Sequence, residues 1–97
     1  MAGTIQLRVL TDTGTALEDE AVSIRAPAQE GSIGFLYNHA PLVETFSPGK
    51  LIWKRPTGET RELMLEDGML EIVRNRCTIL TRAIRKDGVP PGAVRLS

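Results

Sequence analysis

Turn-forming residues interrupt this chain at short intervals from one end to the other. Asp12-Thr13-Gly14, Pro27, Ser47-Pro48-Gly49, Pro56-Thr57-Gly58 and Arg74-Asn75-Arg76 leave no room between them for a helix of ordinary length. The segments they bound carry the period of a strand with one wet face. Ile5, Leu7 and Val9 alternate with Gln6 and Arg8, and Val22, Ile24 and Ala26 alternate with Ser23 and Arg25. Alternation of this kind between turn signals predicts short antiparallel strands.

Further strands are expected over 32–36, 42–46, 51–55, 59–66, 69–73 and 77–81, with Pro27 stopping the second run. Asn75 tolerates the left-handed conformation that a tight hairpin between the last two requires. The best helical stretch, 15–20, is too short and too acidic to stand as a helix. The fold class is therefore all-β: a small antiparallel sandwich or flattened barrel of about eight to ten strands. It spans residues 1–84, and an irregular tail follows over 85–97, where Gly88, Pro90, Pro91 and Gly92 break helix and ladder alike.

Composition narrows the function classes. Ninety-seven residues make one domain with one core. Twelve basic residues balance twelve acidic ones, so binding to nucleic acid through phosphate neutralisation is not expected. The single cysteine, Cys77, has no internal disulfide partner and reads as a small buried hydrophobe. No run approaches the roughly 18 apolar residues of a membrane-spanning helix, so no direct membrane insertion is expected. No basic-then-apolar leader opens the chain.

The most distinctive segment is 31–49, Gly-Ser-Ile-Gly-Phe-Leu-Tyr-Asn-His-Ala-Pro-Leu-Val-Glu-Thr-Phe-Ser-Pro-Gly. Its Gly-x-x-Gly strand, Asn-His-Ala-Pro-Leu corner and Pro-Gly turn resemble the ε subunit of the F-type rotary ATP synthase. Ile5-Gln-Leu-Arg-Val with Thr11, Asp67 to Val73 and Cys77 to Ala83 resemble three further pieces of that family, in order, so that the likeness runs from Ile5 to Arg85. Two positions depart from the pattern. Asp67 replaces the first glycine of a pair, a site where Asp tolerates positive φ, and Tyr37 stands where Pro often precedes the corner.

What the resemblance implies is a rotor part without catalytic residues, cofactor or metal. Its sandwich would contact the γ subunit and the c ring, as a monomer within a hetero-oligomeric complex peripheral to the cytoplasmic face of a bacterial plasma membrane. By position in the family's motifs, Thr11, Glu30, Gly31, Ser32, His39 and Glu44 become candidates for contact with the c ring or γ. The helical C-terminal pair that regulates hydrolysis in many members is not expected from residues 85–97.

The residues support this without demanding it. His39 has no second His or Cys nearby for a metal, and as a general base it would need Ser32 and Glu44 brought to it. Glu30 to Gly34 lacks the Lys-Ser/Thr and the helix of a phosphate loop, and reads about evenly as a structural turn or bulge and as a binding element, two readings that are compatible. Trp53 shares a strand face with Leu51 and is expected in the core. Arg82, Arg85, Lys86 and Arg95 read as solvated charges. The alternative is a free-standing sandwich module for a peptide or glycan, and a small hydrolase is a weaker third reading.

Overall fold

The computed structural model describes residues 3–85. They form ten strands: β1 (Ile5–Thr11), β2 (Gly14–Ala21), β3 (Ser23–Ala28), β4 (Gly31–Leu36), β5 (Leu42–Phe46), β6 (Gly49–Lys54), β7 (Thr60–Leu65), β8 (Gly68–Val73), β9 (Arg76–Thr81) and β10 (Ile84–Arg85). Two five-stranded sheets result, ordered β2-β1-β9-β8-β5 (sheet A) and β10-β7-β6-β3-β4 (sheet B). They are two separate sheets facing each other, a sandwich and not a closed barrel. All pairings are antiparallel except β1 with β9.

Alternation places the core. Ile5, Leu7 and Val9 of β1 and Cys77 and Ile79 of β9 point inward from sheet A, against Ile24, Phe35, Leu51 and Trp53 of sheet B, each at most 2% exposed. Burying one such aliphatic side chain contributes about 1.5–3 kcal/mol, so the inward rows supply the drive to fold. Thr81 ends the β9 row as a buried polar residue. Its hydroxyl donates to the Glu66 carbonyl at 2.8 Å and has the Ala83 and Asp67 carbonyls within reach at 3.2 and 3.3 Å, where the β7–β8 and β9–β10 connections meet.

Residues 15–20, not a helix as expected, form most of strand β2, which was not among the expected strands, with Leu17, Asp19 and Ala21 on its inward side. Three expectations need correction. Pro27 does not stop its strand: it lies inside β3, opposite Ser32. The β3–β6 ladder ends at Arg25↔Ile52, so the N–H that Pro27 lacks falls where β6 makes no demand on it. Asp67 is absent from the positive-φ residues among those described, and its carboxylate instead accepts from Arg82 Nε at 2.9 Å. Arg82 and Arg85 are not simply solvated, because Glu66 pairs with both, at 3.3 and 2.8 Å. Of the expected tail, Arg85 belongs to β10, and 86–97 lie outside the described residues.

Strand directions divide the connections between two poles. The β1–β2, β3–β4, β5–β6, β7–β8 and β9–β10 connections gather at one pole, and β2–β3, β4–β5, β6–β7 and β8–β9 at the other. Every candidate contact residue can be placed on this axis.

Candidate functional site

Thr11, Glu30, Gly31, Ser32 and Glu44 lie toward the first pole. The β3–β4 turn at Gln29-Glu30 needs Gly31 at φ 117°, a conformation that L side chains rarely adopt. Gln29 is held from both ends: its backbone N–H donates to Glu44 Oε2 at 2.9 Å and its side-chain amide to Thr45 Oγ1 at 2.6 Å. Ser32 Oγ accepts from Arg25 Nη1 at 3.1 Å. Glu30 is exposed at the tip, with no ion-pair partner among the described residues. This end is thus an ordered hairpin propped on β5, with a free carboxylate at its apex. Thr11 lies at the neighbouring β1–β2 turn, where its hydroxyl meets that of Thr13 at 2.9 Å.

His39 lies at the opposite pole. Its backbone N–H donates to Leu36 O at 3.0 Å, closing the turn after β4. The ring packs edge-on against Phe35 with centroids 4.9 Å apart, and Nδ1 sits 2.6 Å from Ala40 O, which places the proton on Nδ1. Asn38, at φ 67°, is locked to the β8–β9 hairpin: its N–H donates to Asn75 Oδ1 at 2.6 Å and its Oδ1 accepts from Asn75 Nδ2 at 3.1 Å. Arg74 and Asn75 both adopt positive φ, as a two-residue turn of this hand requires. The separation of His39 from Ser32 and Glu44 removes the hydrolase reading, since no nucleophile–base–acid constellation forms. Among the described residues no cluster of three or more His, Cys, Asp or Glu could hold a metal ion.

Two features escaped the sequence reading. The first is an ion-pair network across the sheet interface. Asp19 of β2 accepts Trp53 Nε1 from β6 at 2.9 Å, and Arg55 Nε lies 3.0 Å from its Oδ2. Partial burial alone would raise the Asp19 carboxyl. Hydrogen bonds from Trp53 and the Glu20 backbone N–H, with the Arg55 charge, outweigh it and hold the pKa below the usual 3.8. The second is a row across the outer face of sheet A, Leu10↔Leu80↔Met69↔Thr45, with Val43 on the same face of β5. Met69, Leu80 and Val43 are 41, 47 and 60% exposed. The signal was present, because Leu10, Met69 and Leu80 sit at the outward parity of their strands where polar residues are expected.

Unpaired charge is spread unevenly along the same axis. Among the described residues, Lys54, Arg74 and Arg76 lack an acidic ion-pair partner and lie at the His39 pole, where Glu20 and Glu71 lack a basic one; Asp12, Glu30 and Glu44 lack a basic partner and lie toward the Thr11 pole, where Arg25 binds Ser32.

Residues 4–87 match the family described as "ATP synthase, Delta/Epsilon chain, beta-sandwich domain". The chain belongs to this family. Similar proteins include the ATP synthase epsilon chain of Desulfosudis oleivorans, 36% identical over 92% of this chain and 68% of that one. The epsilon chain of Desulfitobacterium hafniense is 38% identical over 82% of this chain and 60% of that one. The chain thus spans between 60 and 68% of the length of these relatives. A chain of the Euglena gracilis mitochondrial ATP synthase has the same fold, with a TM-score of 0.80 at 20% identity over 95% of this chain and 56% of that one. A chain of the Tetrahymena thermophila synthase central stalk and c ring gives 0.66 at 18% identity over 97 and 79%. At these identities the likeness is one of fold alone.

Proposed function

We propose that this chain is a non-catalytic rotor subunit of an F-type ATP synthase, coupling c-ring rotation to ATP synthesis or hydrolysis through contacts with the γ subunit and the c ring. It does so at the cytoplasmic face of a bacterial membrane, as one copy in a hetero-oligomer. The observation that carries the reading is the pairing of two adjoining surfaces on a family member. The first is the acidic pole with Glu30, Gly31, Ser32 and Glu44, whose hairpin is propped on β5 by two hydrogen bonds. The second is the apolar outer face of sheet A, with Met69, Leu80 and Val43 exposed.

The acidic pole suits the polar loops of the c ring, because carboxylates at a stiff tip give orientation and specificity more than affinity. The apolar face suits γ, because an exposed apolar row is what a lasting interface buries. Thr11 lies where pole and face meet. His39, at the far pole, is reached only by a partner running the length of the sandwich. Rotation is transmitted because the two sheets are cross-tied by the Asp19 network and by a continuous core, so load applied at one surface reaches the other without shear.

The glycan module is disfavoured by the aromatics: Phe35, Phe46 and Trp53 are at most 4% exposed, which leaves Tyr37 as the one on the surface. The deciding experiment is gel filtration and pull-down of the folded chain with its cognate γ. A one-to-one complex that is lost when Met69 and Leu80 are both changed to Asp is the expected result. No complex at tens of micromolar would refute the reading.

A further inference from the structure

The acidic pole and the apolar face are absorbed by the rotor reading, but the basic pole is not. Lys54, Arg74 and Arg76 are exposed there without an acidic partner among the described residues. The acids nearest the Leu36 face are engaged: Asp19 is bound by Trp53 and Arg55, and Glu59 by Arg55 and Arg61. Glu20, held by Thr4 and Gln6, and Glu71 lie on the other sheet.

An apolar centre accompanies them. Leu36, at 65%, is the most exposed large hydrophobic side chain described, and Tyr37 beside it is 48% exposed. Ser23 of β3 pairs with Leu36 on one side and Lys54 on the other, so Leu36 and Lys54 stand two strands apart in one row on the outer face of sheet B, about 10 Å across. A groove between them is lined by Arg25, Gly34, Ile52 and Thr60. On the other side the Asn38–Asn75 bonds fix Tyr37 next to the Arg74 turn. An apolar anchor site thus lies beside Lys54 and Arg25, with the Arg74 turn adjoining, and hydrogen bonds hold the loop that follows it.

We infer that this pole is a docking surface for an acidic polypeptide segment that carries an apolar or aromatic anchor residue. The anchor takes the groove beside Leu36, and its flanking carboxylates meet Lys54 and Arg25, which line that groove on the outer face of sheet B, and Arg74 at the adjoining turn. Nucleic acid would call for a denser run of cations tracking phosphates, and an anionic bilayer for a cluster of about four to eight basic residues on one plane. Nucleic acid would make no use of a central Leu, and the cations here are too few for a bilayer. Apolar centre with a charged rim is the anatomy of a protein–protein contact. The inference does not rest on the acidic pole or the outer face of sheet A, which carry the rotor reading, and of that reading's candidates only His39 lies near it.

The test is fluorescence anisotropy of the full chain with a labelled oligoglutamate peptide bearing one central Leu-Phe pair. Comparison arms are the same peptide with Lys for Glu, a duplex DNA oligonucleotide and phosphatidylglycerol vesicles. Binding to the acidic peptide alone is expected, weakening as salt rises but persisting at about 0.15 M, where exposed charges are screened beyond about 8 Å. The double variant K54E/R74E should weaken it at least about tenfold, and Leu36→Ser should weaken it without changing its salt dependence. Lys50→Ala, which removes a cation already paired with Glu62, should leave it unchanged. Absence of binding, indifference to K54E/R74E and to Leu36→Ser, or tighter binding to DNA or vesicles than to the peptide would each overturn the inference.

Discussion

Asp19, on the edge strand of one sheet, accepts the indole N–H of Trp53 from the middle of the other at 2.9 Å. The Asp19 side chain is only 10% exposed and also holds Arg55, so this bond latches the β2 edge of the sandwich to its centre. Asp19→Ala leaves the indole and guanidinium without their acceptor. A loss of about 1.5–3 kcal/mol is expected, as for a hydrogen bond to a charged group, measured by urea unfolding.

The same carboxylate sets an acid limit. Its folded pKa lies below its unfolded one, so its contribution is present above the unfolded value of about 4 and is lost as pH falls through the folded value. Stability should therefore drop below about pH 4, with Trp53 fluorescence as reporter. Asp19→Asn should flatten that part of the curve, and an identical acid profile in the variant would exclude the latch as its source.

Cys77 makes the converse case. Burial pushes its thiol from 9.0 up to about 12. A raised folded pKa leaves stability intact below about pH 9 and erodes it as pH climbs toward 12. Native protein at pH 8 should resist alkylation, and reaction should appear only with unfolding.

Gly68 should tolerate no side chain. A Cβ there would come 2.8 Å from Thr81 Cα and still closer to the Leu80 carbonyl. Since both are backbone of the paired strand β9, nothing cheap can move. Gly68→Ala is expected to cost at least about 3 kcal/mol, read as a lower denaturant midpoint.

At the acidic pole stability and assembly should separate. Glu30→Arg changes an exposed tip and should stay within about 0.5 kcal/mol of the parent while weakening c-ring association. Ile33→Asp puts a carboxylate among side chains packed on the core and should unfold the domain. Equal unfolding by both would make the hairpin structural only.

The strands were legible wherever alternation was clean, as in Ile5-Gln6-Leu7-Arg8-Val9, because one dry and one wet face write themselves into the side chains. Strand β2 was not legible, since an edge strand buries little and its Glu18-Asp19-Glu20 run hides the one inward carboxylate, Asp19, between two outward ones. Pro27 misled because its cost depends on whether a neighbour needs its N–H, a fact of sheet order. The sequence singled out Thr11, Glu30, Ser32 and His39 as candidates by motif, but not their division between two poles. That follows from which way each strand runs, and no local spacing encodes it.

The parallel pairing of β1 with β9 carries a consequence for biosynthesis. Gln6 is aligned with Arg76 and Leu10 with Leu80, so the first strand of the sandwich gains its neighbour within sheet A only when β9 has left the ribosome. Until then β1 and β2 can form no more than a hairpin within that sheet. The sandwich must therefore close late relative to its own strands, and Ile5, Leu7 and Val9 are the apolar row that waits longest for its in-sheet neighbour.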